Sequence, residues 1–192
     1  SLVEGAYRTC EEITRNASTS FMRSFRYLDS ARKKSVFALY AFCRRADDIV
    51  DGDWQPDVNL SHLDDKAADR AIQLSVDRQS ESSYPPIEYH QRVRSLLWFH
   101  ENLDAIESGE KVSHPIFIAL QDTLSRYSVC ISDLRTLLEG MEDDLFPTQY
   151  QTFEDMRSYC YKVASTVGLA LIEIYGYSDP NARKHAEEMG IF

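Results

Sequence analysis

Apolar and polar positions alternate with a helical period along most of this chain. In residues 2–16, Val3, Tyr7, Cys10 and Ile13 fall near one face, which predicts an amphipathic helix. A polar break, "NASTS", follows; its hydroxyls suit either a cap for the next turn or donors to a ligand. Residues 30–51 read as one long helix, with Ala31, Val36, Leu39, Tyr40, Phe42, Cys43 and Val50 apolar, no Pro or Gly inside, and Gly52 as the stop signal. Further helices are predicted over 87–107, 115–127, 132–144, 153–175 and from 180 onward. Pro115 and Pro180 suit first-turn positions, and Ser132 is a candidate cap. Residues 53–86 carry the weakest pattern and read as a polar loop or insertion, with a short helix over 64–75 and a loop at "DRQSESSYPP".

With 192 residues, 43% of them hydrophobic, the chain can bury one sizeable core, and it is read as a single domain over 1–192. Seven Gly and six Pro are few, which favours long helices over a turn-rich β architecture. The expected class is all-α, with antiparallel helices around a central cavity.

Charge narrows the partners. Lys plus Arg number 21 against 31 Asp plus Glu, a formal charge of −10, so no nucleic-acid partner is expected and cations or metal-bound anions are. The four cysteines, at 10, 43, 130 and 160, show no CxxC pairing and read as reduced, buried thiols of a cytoplasmic protein. No stretch reaches the roughly 18 uncharged apolar residues of a membrane span. His114 reads as a loop or cap residue, and the remaining histidines form no metal-binding cluster.

The acids at the end of the long helix raise a chemical question. Tyr40, Arg44, Asp47 and Asp51 are spaced by 4, 3 and 4, which puts them within roughly 60° of arc on one polar stripe. Asp48 lies to the side, facing solvent or supporting the stripe from behind. A solvated helix end is one explanation. Against it, carboxylates in a last turn face the negative end of the helix dipole and lose a few tenths of a kcal/mol each. Two carboxylates one turn apart also suit Mg²⁺, which takes oxygen ligands and shares them with substrate phosphates. Arg44 can then grip a phosphate oxygen bidentately, and Tyr40 can offer its hydroxyl or ring face. Spacing alone leaves both explanations open.

"SFRYLDSARKKSVFALYAFCRRADDIVDG", followed downstream by "LLEGMEDDL" and "YCYKVASTVGLAL", resembles the squalene/phytoene synthase family of head-to-head prenyl transferases. Three motifs in the family's order are far more specific than a lone DxxxD. The resemblance covers the chain from about Ala17 to its C-terminus. It implies an isoprenoid synthase-like fold and condensation of two allylic prenyl diphosphates through a cyclopropyl intermediate, with Mg²⁺ as cofactor. The phytoene synthase-like reaction of carotenoid synthesis is the leading expectation, and squalene or dehydrosqualene synthesis from farnesyl diphosphate is the alternative. A non-catalytic helical assembly or binding protein of the same fold is a third, from another class, though such a relative would be expected to lose Asp47 and Asp51.

By the same resemblance, Asp47 and Asp51 are the metal ligands of a first aspartate-rich motif and face an apolar-walled cavity. Arg44 and Tyr40 contact the diphosphate. Ser18, Ser20 and Phe21 lie at the pocket mouth, and Phe21 and Phe25 shorten the cavity toward a C15 substrate. Tyr159 sits where an allylic cation forms, its ring face able to stabilise positive charge. Tyr159, Val163, Thr166 and Ala170 repeat the spacing of 4, 3 and 4 on one helix face. That pattern fits plain helix packing, or small residues and Gly168 leaving room for a polyprenyl chain. Ser165 stands where the family usually has glycine. In "EGMEDDL", Asp144 is the family-like acid, as a ligand or a structural ion-pair partner, while Glu139, Glu142 and Asp143 are expected to be exposed.

The family's second aspartate-rich motif would begin just beyond "EEMGIF". The chain is therefore expected to be an incomplete synthase domain from which full turnover is not expected, either a fragment with the missing motif in the reading frame after Phe192 or a shortened homologue, the abrupt end inside an apparent helix favouring the fragment. A hydrocarbon product that leaves into lipid makes peripheral membrane contact an expectation too; oligomeric state is not readable.

Overall fold

The computed structural model describes residues 1–26, 28–78, 86–145 and 166–176, and they are helical, with no strand among them. In chain order the helices are α1 (Leu2–Ala17), α2 (Thr19–Ser24), α3 (Ser30–Asp51), α4 (Asp64–Arg78), α5 (Pro86–Glu107), α6 (Pro115–Arg126), α7 (Ile131–Asp143) and α8 (Thr166–Tyr175). A 3₁₀ turn, Ser61–Leu63, leads into α4. The polar break after α1 falls at Ser18, beyond which Thr19–Ser24 wind into α2, and the short helix expected at 64–75 is real and extends to Arg78.

Local chemistry sets the ends of α3. Asp29 caps its start by accepting from the Arg32 N–H at 3.0 Å. Gly52 ends it in the left-handed conformation, φ 80°, and its N–H closes back on α3. A side chain there would collide with the Arg92 guanidinium, which donates to the Val50 carbonyl. That cation sits at the negative end of the α3 dipole and offsets part of what the terminal carboxylates lose. Ser132, in contrast, lies inside α7, and Cys130 holds the cap position without a capping side-chain bond.

α3 is the axis of the molecule and packs against α1, α5, α6, α7 and α8. Its buried face includes Val36, Phe37, Leu39, Phe42, Ile49 and Val50. Phe42 lies 5.3 Å from Phe99 of α5 and 6.3 Å from Phe117 of α6, and Trp98 closes the group at 5.0 Å from Phe117. Tilted and edge-on aromatic contacts of this kind add to the burial of apolar area that drives folding. Residue pairs fix the directions of the helices. Arg92 meets Val50 while Phe99 meets Phe42, so α5 runs antiparallel to α3. Arg135 near the start of α7 bonds Asp104 and Glu107 near the end of α5, so that pair is antiparallel too. The Arg32 Nε donates to the Ile174 carbonyl at 3.2 Å, which sets the end of α8 beside the start of α3.

Three sequence expectations change at this level. Glu142 is buried, not exposed, and is gripped by Arg70 through two hydrogen bonds of 2.9 and 3.1 Å. Cys130 is exposed, while Cys10 is buried and Cys43 is half-buried; Cys160 lies outside the described residues. His114 does hold the N-cap position of α6, yet its ring caps nothing and packs on Trp98, Trp54 and Phe117.

Candidate active site

The acidic stripe occupies the last two turns of α3. Asp51 is exposed, and the Asp47 side chain keeps 46% of its surface. Asp48, one residue on, points inward and is only 5% exposed. Arg45 Nη1 donates to its Oδ2 at 3.0 Å, and Arg44 Nε forms an ion pair with its Oδ1 at 2.9 Å. Arg44 Nη1 lies 3.9 Å from Asp47 Oδ2, so one guanidinium spans both acids. Arg45 lies over the Trp54 ring, 5.1 Å from its centroid, within the range of cation–π attraction.

The electrostatics follow from this crowding. Burial raises the Asp47 carboxyl above its ordinary range, and the charges of Asp51, Asp48 and Asp144 raise it further against the pull of Arg44. Asp144, exposed at the C-terminal cap of α7, therefore belongs to the same field as the α3 acids. Tyr40, half-buried on the same stripe, has its phenol pushed up chiefly by burial, with Arg44 opposing, so it stays protonated and able to donate.

A donor set of carboxylate oxygens that repel one another fits a hard divalent cation. Mg²⁺ binds proteins through one or two carboxylates and fills its remaining positions with water and phosphate oxygens, which is what Asp47 and Asp51 one turn apart provide. Among the described residues no three acidic, His or Cys side chains cluster as a metal-holding group.

The other residues singled out from sequence lie elsewhere. Ser18 ends α1 with an extended backbone, its N–H donating to the Thr14 carbonyl at 2.9 Å. Phe25 is buried with its ring 5.7 Å from that of Tyr175, near the N-terminal end of α3. From Arg32 to Asp47 is 15 residues, so this aromatic pair and the acids are separated by about 22 Å along the helix axis. Thr166 is buried and Gly168 half-buried on α8, which packs on α3 and α7. The side chains of Ser20 and Phe21, and Tyr159, Val163 and Ser165 entirely, lie outside the described residues, so of the wall expected opposite the acids only Thr166 and Gly168 are described. A separate cleft of about 480 Å³ lies beside Gly52, lined by Ile49, Trp54, Gln91, Arg92 and Ser95 among others.

Sequence reasoning passed over Asp48 and Arg45 as a unit. The signal was present, because Arg44–Asp48 and Arg45–Asp48 are i,i+4 and i,i+3 pairs on one helix. The Arg70–Glu142 pair spans 72 positions and left no such trace.

Comparison with known proteins places this geometry. The family profile described as squalene/phytoene synthase matches residues 14–192. The chain is 30% identical to a 15-cis-phytoene synthase of Synechococcus elongatus, covering 93% of this chain and 47% of that one. It is 31% identical to the chloroplastic phytoene synthase 1 of Arabidopsis thaliana, covering 98% of this chain and 36% of that protein. It thus spans about half or less of the length of these curated relatives. Among solved structures, a dehydrosqualene synthase in complex with a ligand superposes with TM-score 0.66 at 26% identity, over 97% of this chain and 54% of the other. A squalene synthase from Alicyclobacillus acidocaldarius gives TM-score 0.70 at 21% identity, over 98% and 58%, which bears on the fold alone. The chain belongs to the squalene/phytoene synthase family.

Proposed function

We propose that the protein acts as a prenyl transferase that joins two allylic prenyl diphosphates head-to-head through a cyclopropyl intermediate, in the manner of phytoene synthase. The observation that carries this reading is the pairing of Asp47 and Asp51 on one helix face beside Arg44, in a field of like charge that Asp144 extends. Asp47 and Asp51 would hold Mg²⁺, and the ion, when bound, supplies fixed positive charge for the departing diphosphate. Arg44 presents two-pronged hydrogen bonding to phosphate oxygens, and protonated Tyr40 donates beside it. Asp144 adds acceptor oxygens from α7. Ser18, Ser20 and Phe21 are assigned to the pocket mouth, Val163, Thr166 and Gly168 to the hydrocarbon wall, and Tyr159 to the developing allylic cation.

The relatives named above as phytoene synthases support the C20 substrate. A second reading, the same chemistry on farnesyl diphosphate to give squalene or dehydrosqualene, is favoured by the Phe25–Tyr175 pair. In that reading the aromatic pair forms a floor that stops a longer chain. A non-catalytic role is disfavoured because both aspartates are retained. Among the described residues no helix is long and apolar enough to cross a membrane, and the release of a hydrocarbon is best served by peripheral contact with lipid.

Incubation of the full-length protein that carries residues 1–192 with geranylgeranyl or farnesyl diphosphate and Mg²⁺, followed by analysis of the extracted hydrocarbon, tests this directly. A C40 product is expected. A C30 product from farnesyl diphosphate alone transfers the assignment to the second reading, and no product from either substrate overturns both.

A further inference from the structure

Asp48 stands between the two outward aspartates, yet its carboxylate is almost wholly enclosed. It takes no part in the outward stripe, because on a helix it is turned about 100° from Asp47. Each oxygen has its own arginine, Arg44 Nε at 2.9 Å and Arg45 Nη1 at 3.0 Å. The backbone of Asp48 is equally committed. Its carbonyl accepts from the N–H groups of Asp53 at 2.8 Å and Trp54 at 3.3 Å, so the loop after α3 folds back over it, and Trp54 stacks with Arg45.

The consequence lies in how a guanidinium is used. It is a rigid plane with two hydrogen-bonding edges, one containing Nε and the other formed by the two terminal nitrogens. In Arg44 the Nε edge is taken by Asp48, and the terminal Nη1 points to the Asp47 side at 3.9 Å. The Arg44 side chain keeps 37% of its surface, so the terminal edge remains reachable. A flexible arginine would lose side-chain entropy each time it gripped an anion; one already pinned at Nε loses less.

We infer that Asp48 is a positioning residue, not a metal ligand: it pins Arg44 by Nε so that the terminal edge of the guanidinium faces the diphosphate held at Asp47 and Asp51. The inference rests on the proposed function for the identity of the anion. It predicts that Asp48 acts on affinity through Arg44 and not independently.

Calorimetric titration of magnesium pyrophosphate into the wild-type protein, Asp48→Asn, Arg44→Gln and the double variant tests it. Each single substitution is expected to weaken binding about tenfold, and the double variant no more than Arg44→Gln alone, as for residues in one network. Asp48→Asn with wild-type affinity, or losses that multiply in the double variant as an independent metal ligand would give, overturn the inference. Should Asp48→Asn not fold, Asp48→Glu takes its place in the cycle: it keeps the charge but moves the carboxylate off Arg44 Nε, so about tenfold weaker binding that is not added to the loss in Arg44→Gln is expected, and unchanged binding refutes the idea. Product analysis in parallel separates the two claims. Product formation alongside an unaffected Asp48→Asn titration sinks the positioning role alone. Coupled losses of affinity without any hydrocarbon product sink the condensation reading alone. A wild-type protein that does not bind magnesium pyrophosphate sinks both.

Discussion

The acidic ends of α3 and α7 have similar composition, "RRADDIVD" and "EGMEDD", and use it in related ways. In each, one acid is driven inward and neutralised by arginine while its neighbours remain in contact with water. On α3 the inward acid is Asp48, held by two arginines one turn back. On α7 it is Glu142, held by Arg70 of α4. A buried carboxylate is tolerated only when paired and hydrogen-bonded, so the paired acid anchors the turn and the remaining acids are left to project. The two anchors differ in reach. The α3 anchor is built within its own helix and fixes a local geometry, whereas the α7 anchor crosses to α4 and ties two helices together.

Substitutions that break one end and spare the other expose this difference. The largest effect is expected at the projecting acids of α3: Asp47→Ala or Asp51→Ala should lower the rate of product formation by 10²-fold or more, judging by the loss of comparable electrostatic groups, with the melting temperature little changed. Turnover equal to wild type would remove their assigned role. Next in size is the α7 anchor. Glu142→Ala removes an ion pair in which Glu142 is buried and the Arg70 side chain is 40% exposed, and a loss of about 2 kcal/mol in urea unfolding is expected. A change below about 0.5 kcal/mol would show the pair to be no more than a surface bridge.

A pH effect of intermediate size comes from the aromatic core beneath these ends. Burial holds His114 below the ordinary 6.5, with Arg45 pushing the same way, and its Nδ1 is enclosed without a hydrogen-bond partner. The unfolded chain then takes up a proton below pH 6.5 that the folded ring resists. Stability is therefore expected to be fully present above that value and to fall as the pH drops beneath it. His114→Phe should flatten the acid limb of a stability profile, with the half-buried His100, also lowered chiefly by desolvation, accounting for what slope remains. The smallest effect expected is a gain. Asp47 is raised by burial and by like charges, so its ionised form weakens the fold as pH climbs through its folded value. Asp47→Asn should raise the melting temperature slightly at neutral pH without Mg²⁺, and a clear fall would contradict the electrostatic account.

How much of this was legible beforehand depended on distance along the chain. The span of α3, its glycine stop and its outward stripe follow from spacing within one helix, and the structure reproduces their bounds. The start of α6 was equally visible because Pro115 marks it. Glu142 was misjudged because its partner lies on another helix, and no local pattern announces a tertiary ion pair. The break at "NASTS" is present at Ser18, where α1 ends in an extended backbone; that the residues after it wind into the short α2 was not read. His114 shows a different failure: its backbone position was right, but its ring serves a core assembled from α5, α6 and the loop after α3.

The central claim is that Asp47 and Asp51 jointly hold a divalent ion for a pyrophosphate group. Electron paramagnetic resonance of Mn²⁺, used in place of Mg²⁺, counts bound ions with and without pyrophosphate. The account predicts ion binding that strengthens sharply when pyrophosphate is added and disappears in the Asp47→Asn/Asp51→Asn double variant. Binding that persists unchanged in the double variant would contradict it.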